Sequence, residues 1–420
     1  MKKLITLLVL IAFGVPSPIY ANRLWLSGAE LQSVTSRMEW DTTTGSPTIN
    51  TTTKRSGAAS LRCNPSATTA FVTQRYTGDT TTVVYYIRTY LYITTATDAL
   101  DSILANFDSF GDNLASIRMN SNRTLELWQS SAQIGLDSSA LSTGQWYRIE
   151  LEVTIGTNSI TGLDARIDGV SFASGTGLTN SIDTQLTLRL GCVTATTADL
   201  YFDDVAINDN TGTIQTSWPG AGSIVHMYPD SAGDNDGATS TPNSYLNVDE
   251  KPTPDDDTTV AWMDAANDIL DVNLESSATA GIDSFDTITL VAANIREKAA
   301  SAASANWARR IKSQASGTVF GEAVKTHNDQ TWTTNGDAAP RLPLVSYTNP
   351  QAGGAWTTGL LDTAQVGAST TDATPDLGIT SMWLTVEYVD GVAPGGATVS
   401  NPMCLINDGL FILNGRLIIP

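Results

Sequence analysis

Alternation constrains this chain more than any other feature. From Asn22 to about Thr213, apolar residues recur at every second position in short runs, and Gly, Asn, Asp, Ser and Thr fall between the runs. Successive side chains of a strand point to opposite faces, so this pattern fits half-buried sheet. β-Branched and aromatic residues fill the runs, and hardly any window carries a helical period. The expected strands include Arg23 to Leu26, Ser60 to Cys63, Val83 to Ile93, Leu125 to Gln129, Trp146 to Ile155 and Leu200 to Ile207. The last of these reads LYFDDVAI and runs into turn residues. Simple alternation puts Tyr201, Asp203, Val205 and Ile207 on one face and Phe202, Asp204 and Ala206 on the other, one carboxylate to each. A carboxylate among apolar neighbours needs a cation or several hydrogen-bond donors.

The first residues have the layout of a secretory signal: Met1-Lys2-Lys3, an apolar run from Leu4 to Val15, then Pro16 to Ala21. We place cleavage after Ala21 and expect a secreted mature chain. The apolar run is too short to span a bilayer comfortably, and no later stretch is long and apolar enough. A net charge of −20 argues against nucleic acid and anionic membranes as partners, and suits cations or neutral sugar polymers. Three cysteines leave at least one unpaired within the chain. Cys63 and Cys192 can bond if their strands are adjacent; buried free cysteine is the common alternative.

Four landmarks in order carry a resemblance. Ser27-Gly28-Ala29-Glu30, Arg55 to Leu61, Gln145 to Glu150, and Leu200 to Val205 together resemble jelly-roll domains of the concanavalin A-like lectin and glucanase, laminin G-like and carbohydrate-binding-module kind. The resemblance covers roughly half the chain. It implies a glycan ligand, and a structural Ca2+ where a first-strand Glu meets a last-strand Asp. Carried over, the metal candidates are Glu30, Asp203 and Asp204; calcium takes hard oxygen ligands of this type. The alternative is a solvated Glu30 with Asp203 capping a turn through backbone N–H groups.

The remaining chain divides into a Gly-, Pro- and Ser-rich acidic linker or long loop over 214–257, a second β-sandwich over 258–390 and an apolar tail over 391–420. The whole is therefore expected to be all-β, with two tandem jelly-roll sandwiches. Alanine-rich Ala299 to Ala305 reads as a hairpin loop. Asp255 to Thr259 and Asn349 to Thr357 resemble segments of tailed-phage virion-associated proteins, and a secretory signal departs from that pattern. Asn414-Gly415 between apolar runs predicts a hairpin, with Phe411, Leu413, Leu417 and Ile419 available to join a neighbouring subunit.

Glucanases of this fold use paired carboxylates in an E-x-D-x-x-E arrangement. Glu150 and Glu152 do not reproduce that spacing, although they share a face and are the best pair present. No nucleophile elbow, zinc spacing or phosphate loop occurs. The expectation is a non-catalytic structural or adhesive protein, secreted or virion-associated, with Trp128 and Tyr92 as stacking platforms for a glycan; the alternative is a glycan-cleaving enzyme. Trp146 is expected in the core, because it begins the run Tyr147, Ile149, Leu151, Val153.

Overall fold

The computed structural model describes residues 23–77, 83–108, 111–181, 186–237, 244–256, 258–337, 339–371, 374, 376–391, 411–413 and 416–418. The expected signal segment 1–21 lies outside them. The chain is an all-β, antiparallel sandwich structure, as the alternation predicts.

Residues 23–209 form fifteen strands: Arg23–Ser27 (β1), Thr42–Gly45 (β2), Thr48–Asn50 (β3), Ser60–Cys63 (β4), Thr68–Thr77 (β5), Val83–Thr95 (β6), Asp101–Phe107 (β7), Asn113–Met119 (β8), Leu125–Gln129 (β9), Ala132–Ile134 (β10), Trp146–Gly156 (β11), Ser159–Ile167 (β12), Val170–Ser181 (β13), Leu186–Thr196 (β14) and Asp199–Asp209 (β15). An eight-stranded sheet runs β13-β12-β11-β6-β15-β4-β3, with β1 also paired to β15; a seven-stranded sheet runs β10-β9-β8-β7-β14-β5-β2. The alternate apolar residues of both sheets meet in one core, among them Val72, Leu104, Ile117, Leu127, Ile149, Leu151 and Leu188. Cys63 and Cys192 form a disulfide across this core, with Cα atoms 6.0 Å apart. They sit in opposite sheets, so the condition of adjacent strands was the wrong test: the two cysteines face each other through the sandwich.

Beyond residue 222, two six-stranded sheets enclose a second core. One is centred on Thr287–Ala299 and Leu377–Val389, the other on Ile269–Leu274, Gln365–Thr370 and Ala305–Lys312. Residues 300–304 form a loop, as read, but not a hairpin: they carry the chain from Thr287–Ala299 in one sheet to Ala305–Lys312 in the other, because each strand pairs within its own sheet. Part of the stretch read as a linker is instead sheet: Pro229–Asp236 pairs with Ile269–Leu274. Asp234 there accepts from the buried Lys312 ammonium and the Ser316 amide, which gives this acidic strand a counter-charge. In the tail, Phe411–Leu413 pairs antiparallel with Arg416–Ile418; Ile419 lies outside the described residues. No helix among the described residues is long and apolar enough to cross a membrane.

Strand β15 departs from simple alternation. Its register with β6 shifts between Asp203 and Ala206, and Asp204 takes φ +50°. This is a β-bulge, in which one extra residue changes which face the following side chains reach. Leu200 and Phe202 before it and Val205 and Ile207 after it all reach the first core. Tyr201 and Asp203 therefore do not share a face with Val205 and Ile207. Ala206 turns outward and packs with Leu26, Ile224, Leu290, Ala292 and Val345, joining the first sandwich to the second.

Candidate functional site

The bulge brings the acidic candidates to one corner without making them equivalent. Asp203 Oδ2 accepts from the Arg55 amide at 2.8 Å, and its Oδ1 accepts from the Asp204 amide at 2.8 Å. Asp204 accepts from Arg55 Nη1 at 2.5 Å, from Ser56 Oγ at 2.6 Å and from the Ile224 amide at 2.6 Å. Glu30 Oε2 accepts from the Ala58 amide at 2.7 Å, while its Oε1 is buried with no hydrogen-bond partner. A Cβ on Gly57, which has φ +57°, would lie 2.0 Å from that Oε1, so only glycine lets the loop close over Glu30. Burial raises both the Glu30 and the Asp203 carboxyl well above the usual range, and the Asp204 charge adds to each. Loop amides and Arg55 thus meet most of the demand that sequence reasoning assigned to a cation. Among the described residues no three His, Cys, Asp or Glu side chains gather in a way that could hold a metal ion, and calcium takes six to eight oxygens. The side chains present do not compose such a cage; Glu30 Oε1 is the oxygen of the trio left open.

Tyr92, Glu150 and Glu152 all stand on the outer face of the eight-stranded sheet. Trp146 pairs across to Tyr92 and is half-buried on that outer face, whereas Tyr147 points into the core. The correction to Trp146 follows from parity: the core run has odd numbers, so an even neighbour points away. Tyr92 packs with Trp146 and Tyr201 at ring separations of 5.4 and 5.8 Å, with planes inclined at 52° and 89°. These rings pack against one another and do not make a flat platform. Glu150 is 1% exposed and ion-paired to Arg148 at 3.2 Å, so it is closed to a polymer; Glu152 is half-buried beside Asp164.

Trp128 belongs to the opposite side of the sandwich. Register across the seven-stranded sheet aligns Thr42, Thr73, Arg189, Ala105, Ser116, Trp128 and Gln133 in one row on the outer face. Arg189 lies 3.7 Å over the Phe107 ring and 5.4 Å from Phe71. Arg118 lies 4.2 Å over Trp128 and donates to the Ser130 carbonyl at 2.7 Å. Between these two stacks the side chains shrink to Ala105 and Ser116, both fully buried: Ala105 packs with Phe71 and Phe107, and Ser116 Oγ accepts from Arg118 Nε at 3.1 Å. Glu126 stands opposite Arg118 and accepts from Trp128 Nε1 at 2.6 Å and from Asn120. Partial burial lowers the pKa of both Arg118 and Arg189, which remain cations at neutral pH. An arginine stacked on an aromatic ring presents donors in a fixed fork to a carboxylate or sulfate.

Sequence reasoning found Trp128 and missed Arg118, Arg189, Phe107 and Phe71. Each arginine occupies the polar position of an alternating run, where a solvated face is ordinary. Only cross-strand register shows that they share a row.

No protein-family model matches the chain, and no curated protein does. Among solved structures, the chain is similar to the cellulose-induced protein Cip1 at 18% identity, over 44% of this chain and 92% of that one, with a TM-score of 0.32. An endo-β-1,4-glucuronan lyase from the fungus Trichoderma reesei matches at 13% identity, over 44% and 95%, with a TM-score of 0.34. A carbohydrate esterase from the Shiga toxin-encoding bacteriophage phi24B matches at 15%, over 44% and 97%, with a TM-score of 0.33. At such TM-scores no activity passes from them to this chain. They do correct one expectation: two of the three are enzymes by name, so the reading of this chain as non-catalytic is withdrawn.

Proposed function

We propose that this is a carbohydrate-active protein that takes an anionic polysaccharide along the outer face of the seven-stranded sheet. One observation carries the reading: the row in which Arg189 and Trp128, the latter covered by Arg118, flank the small residues Ala105 and Ser116. The overall charge of −20 favours neutral sugars, but a polymer meets one face, and on this face arginines stand forward. Cleavage on this track would draw on Glu126, the carboxylate already fixed by Trp128 and Asn120.

The test is to incubate the full chain with uronic-acid, sulfated and neutral polysaccharides, following retention on the polymer and the release of new ends. Acidic polymers are expected to be retained, with Trp128→Ala and Arg189→Ala each weakening retention at least tenfold. Retention of none of them, or retention by both variants equal to that of the wild type, sinks the reading. Glu126→Gln separates holding from cutting: a polymer cut at this site is still retained and no longer cut.

We also propose a restricted place for calcium. A divalent cation at this corner would engage Glu30 Oε1 and loop carbonyls, leaving Asp203 and Asp204 with their present donors; its role would be to stabilise the loop.

A further inference from the structure

At one end of the arginine row the sheet face meets the second sandwich, and a cavity of about 340 Å³ opens there. Thr42 and Thr73, the last residues of the row, line it together with Thr187, Arg75, Arg37 and Arg341. The second sandwich supplies Arg341, so the cavity is incomplete in either half alone.

The three guanidinium groups are differently committed. Arg341 donates to the Gly336 carbonyl at 3.1 Å and the Asp337 carbonyl at 3.0 Å, and is paired to Asp41. Arg37 pairs with Asp329 at 2.8 Å, and its own carbonyl is held by the Thr334 amide at 3.1 Å and Arg296 Nη1 at 2.6 Å. Arg75 faces Thr187 across the strand pair. Its amide donates to Asp41 Oδ2 at 2.7 Å, and its guanidinium makes no ion pair or hydrogen bond among the described residues. A guanidinium has five N–H donors, so Arg341 and Arg37 keep donors in reserve and Arg75 keeps all of its own. Asp41 is the carboxylate in the lining, and both of its oxygens are already engaged. Among the described residues the cavity therefore holds one uncompensated positive charge, fixed donors from two neighbouring arginines and three hydroxyls.

We propose that this cavity is an oxyanion pocket that anchors a carboxylate or sulfate group of the glycan whose chain lies along the row. The proposal rests on the reading of the sheet face as a glycan track and deepens it: the track has a charged terminus, built jointly by the two sandwiches. The arginines position the ligand by bidentate contacts, and the threonines accept or donate to its remaining oxygens. Because the pocket is partly open, binding weakens as salt rises.

Isothermal titration of the full chain with oligosaccharides of equal length, carrying uronate, sulfate ester or no charge, tests it. The wild type is expected to prefer one charged series at least tenfold over the neutral one; which series is preferred tells carboxylate from sulfate. Arg75→Gln, at a half-exposed position, should weaken the charged series severalfold and so narrow that preference. Arg341→Lys, which keeps the charge and loses the fork, should weaken the charged series by a smaller factor. Unchanged preference in Arg75→Gln, with binding lost in Trp128→Ala, overturns the pocket and leaves the track standing. Preference narrowed in Arg75→Gln with full affinity in Trp128→Ala overturns the track and leaves the pocket. No binding of any series to the wild type overturns both.

Discussion

The two outer faces of the first sandwich are made from the same kind of strand and carry the same kinds of residue, yet they are used differently. On the eight-stranded side, charges are closed into pairs: Arg23 and Arg88 both reach Glu387 of the second sandwich, at 2.9 and 2.8 Å, and Arg148 holds Glu150. On the seven-stranded side, Arg189 and Arg118 lie on aromatic rings. On the first face the arginines are paired to carboxylates even where a ring lies below, as at Arg62 and Arg166, and the Glu387 pairs join the two sandwiches. On the second, Arg189 and Arg118 meet rings without an ion pair among the described residues, which is the charge the proposed glycan track would use.

The comparison breaks most severely at Glu387. Replacing it by alanine leaves two buried guanidinium groups unpaired, expected to cost about 3–5 kcal/mol; denaturant unfolding reads this, and a loss below about 1 kcal/mol would show that this joint is not there. Burial alone would raise the Glu387 carboxyl, but Arg23 and Arg88 outweigh it and hold it below the usual value. A depressed folded pKa gives stability that is present above the unfolded value, about 4.3, and is lost as pH falls through the folded one. Melting temperature should therefore fall with acidification below about pH 4.3, with a shallower slope in the Glu387→Gln variant.

Next in size is the bond between the sheets. Reduction of Cys63–Cys192, or the double Ser variant, is expected to remove about 2–4 kcal/mol. Retention of acidic polymer at a temperature where the variant is folded should persist, since the row lies on the outer surface.

A smaller effect sharpens the contrast directly. Arg189→Ala should weaken acidic glycan binding at least tenfold, about 1.4 kcal/mol, while Tyr92→Ala and Trp146→Ala on the other side leave it unchanged. Loss on both sides would show that the faces are not specialised.

The smallest concerns Glu30. Its carboxyl is raised by burial, then by the Glu39 and Asp204 charges. A raised folded pKa gives stability that is full below the unfolded value and lost as pH rises through the folded one. With chelator present, stability should drop toward neutral pH, and Glu30→Gln should flatten the drop, an effect of about 1 kcal/mol. Calcium that restores wild-type stability and leaves the variant unmoved supports a cation at Oε1; indifference to both calcium and chelator removes it.

Alternation made the sandwich legible in the sequence, because core burial enforces a period of two on each strand separately. It located most strands, the Ala299–Ala305 connection and Trp128. Relations between strands were not legible. The Cys63–Cys192 bond crosses sheets, and the Arg189-to-Trp128 row depends on four strands being in register. The stretch near Asp234 looked like linker because its charges had no visible counterpart; Lys312, distant in sequence, supplies it.

The extra residue in β15 has a wider meaning. A strand of fixed parity sends its odd positions to one face and its even positions to the other for its whole length. By switching parity at Asp204, one strand keeps feeding the first interior with Leu200, Phe202, Val205 and Ile207, and frees Ala206 for the second sandwich. Asp204, at the switch itself, is bound to the Ile224 amide at the start of that second sandwich. One residue thus works as a splice, and the two halves of the chain are joined at a change of phase within a strand.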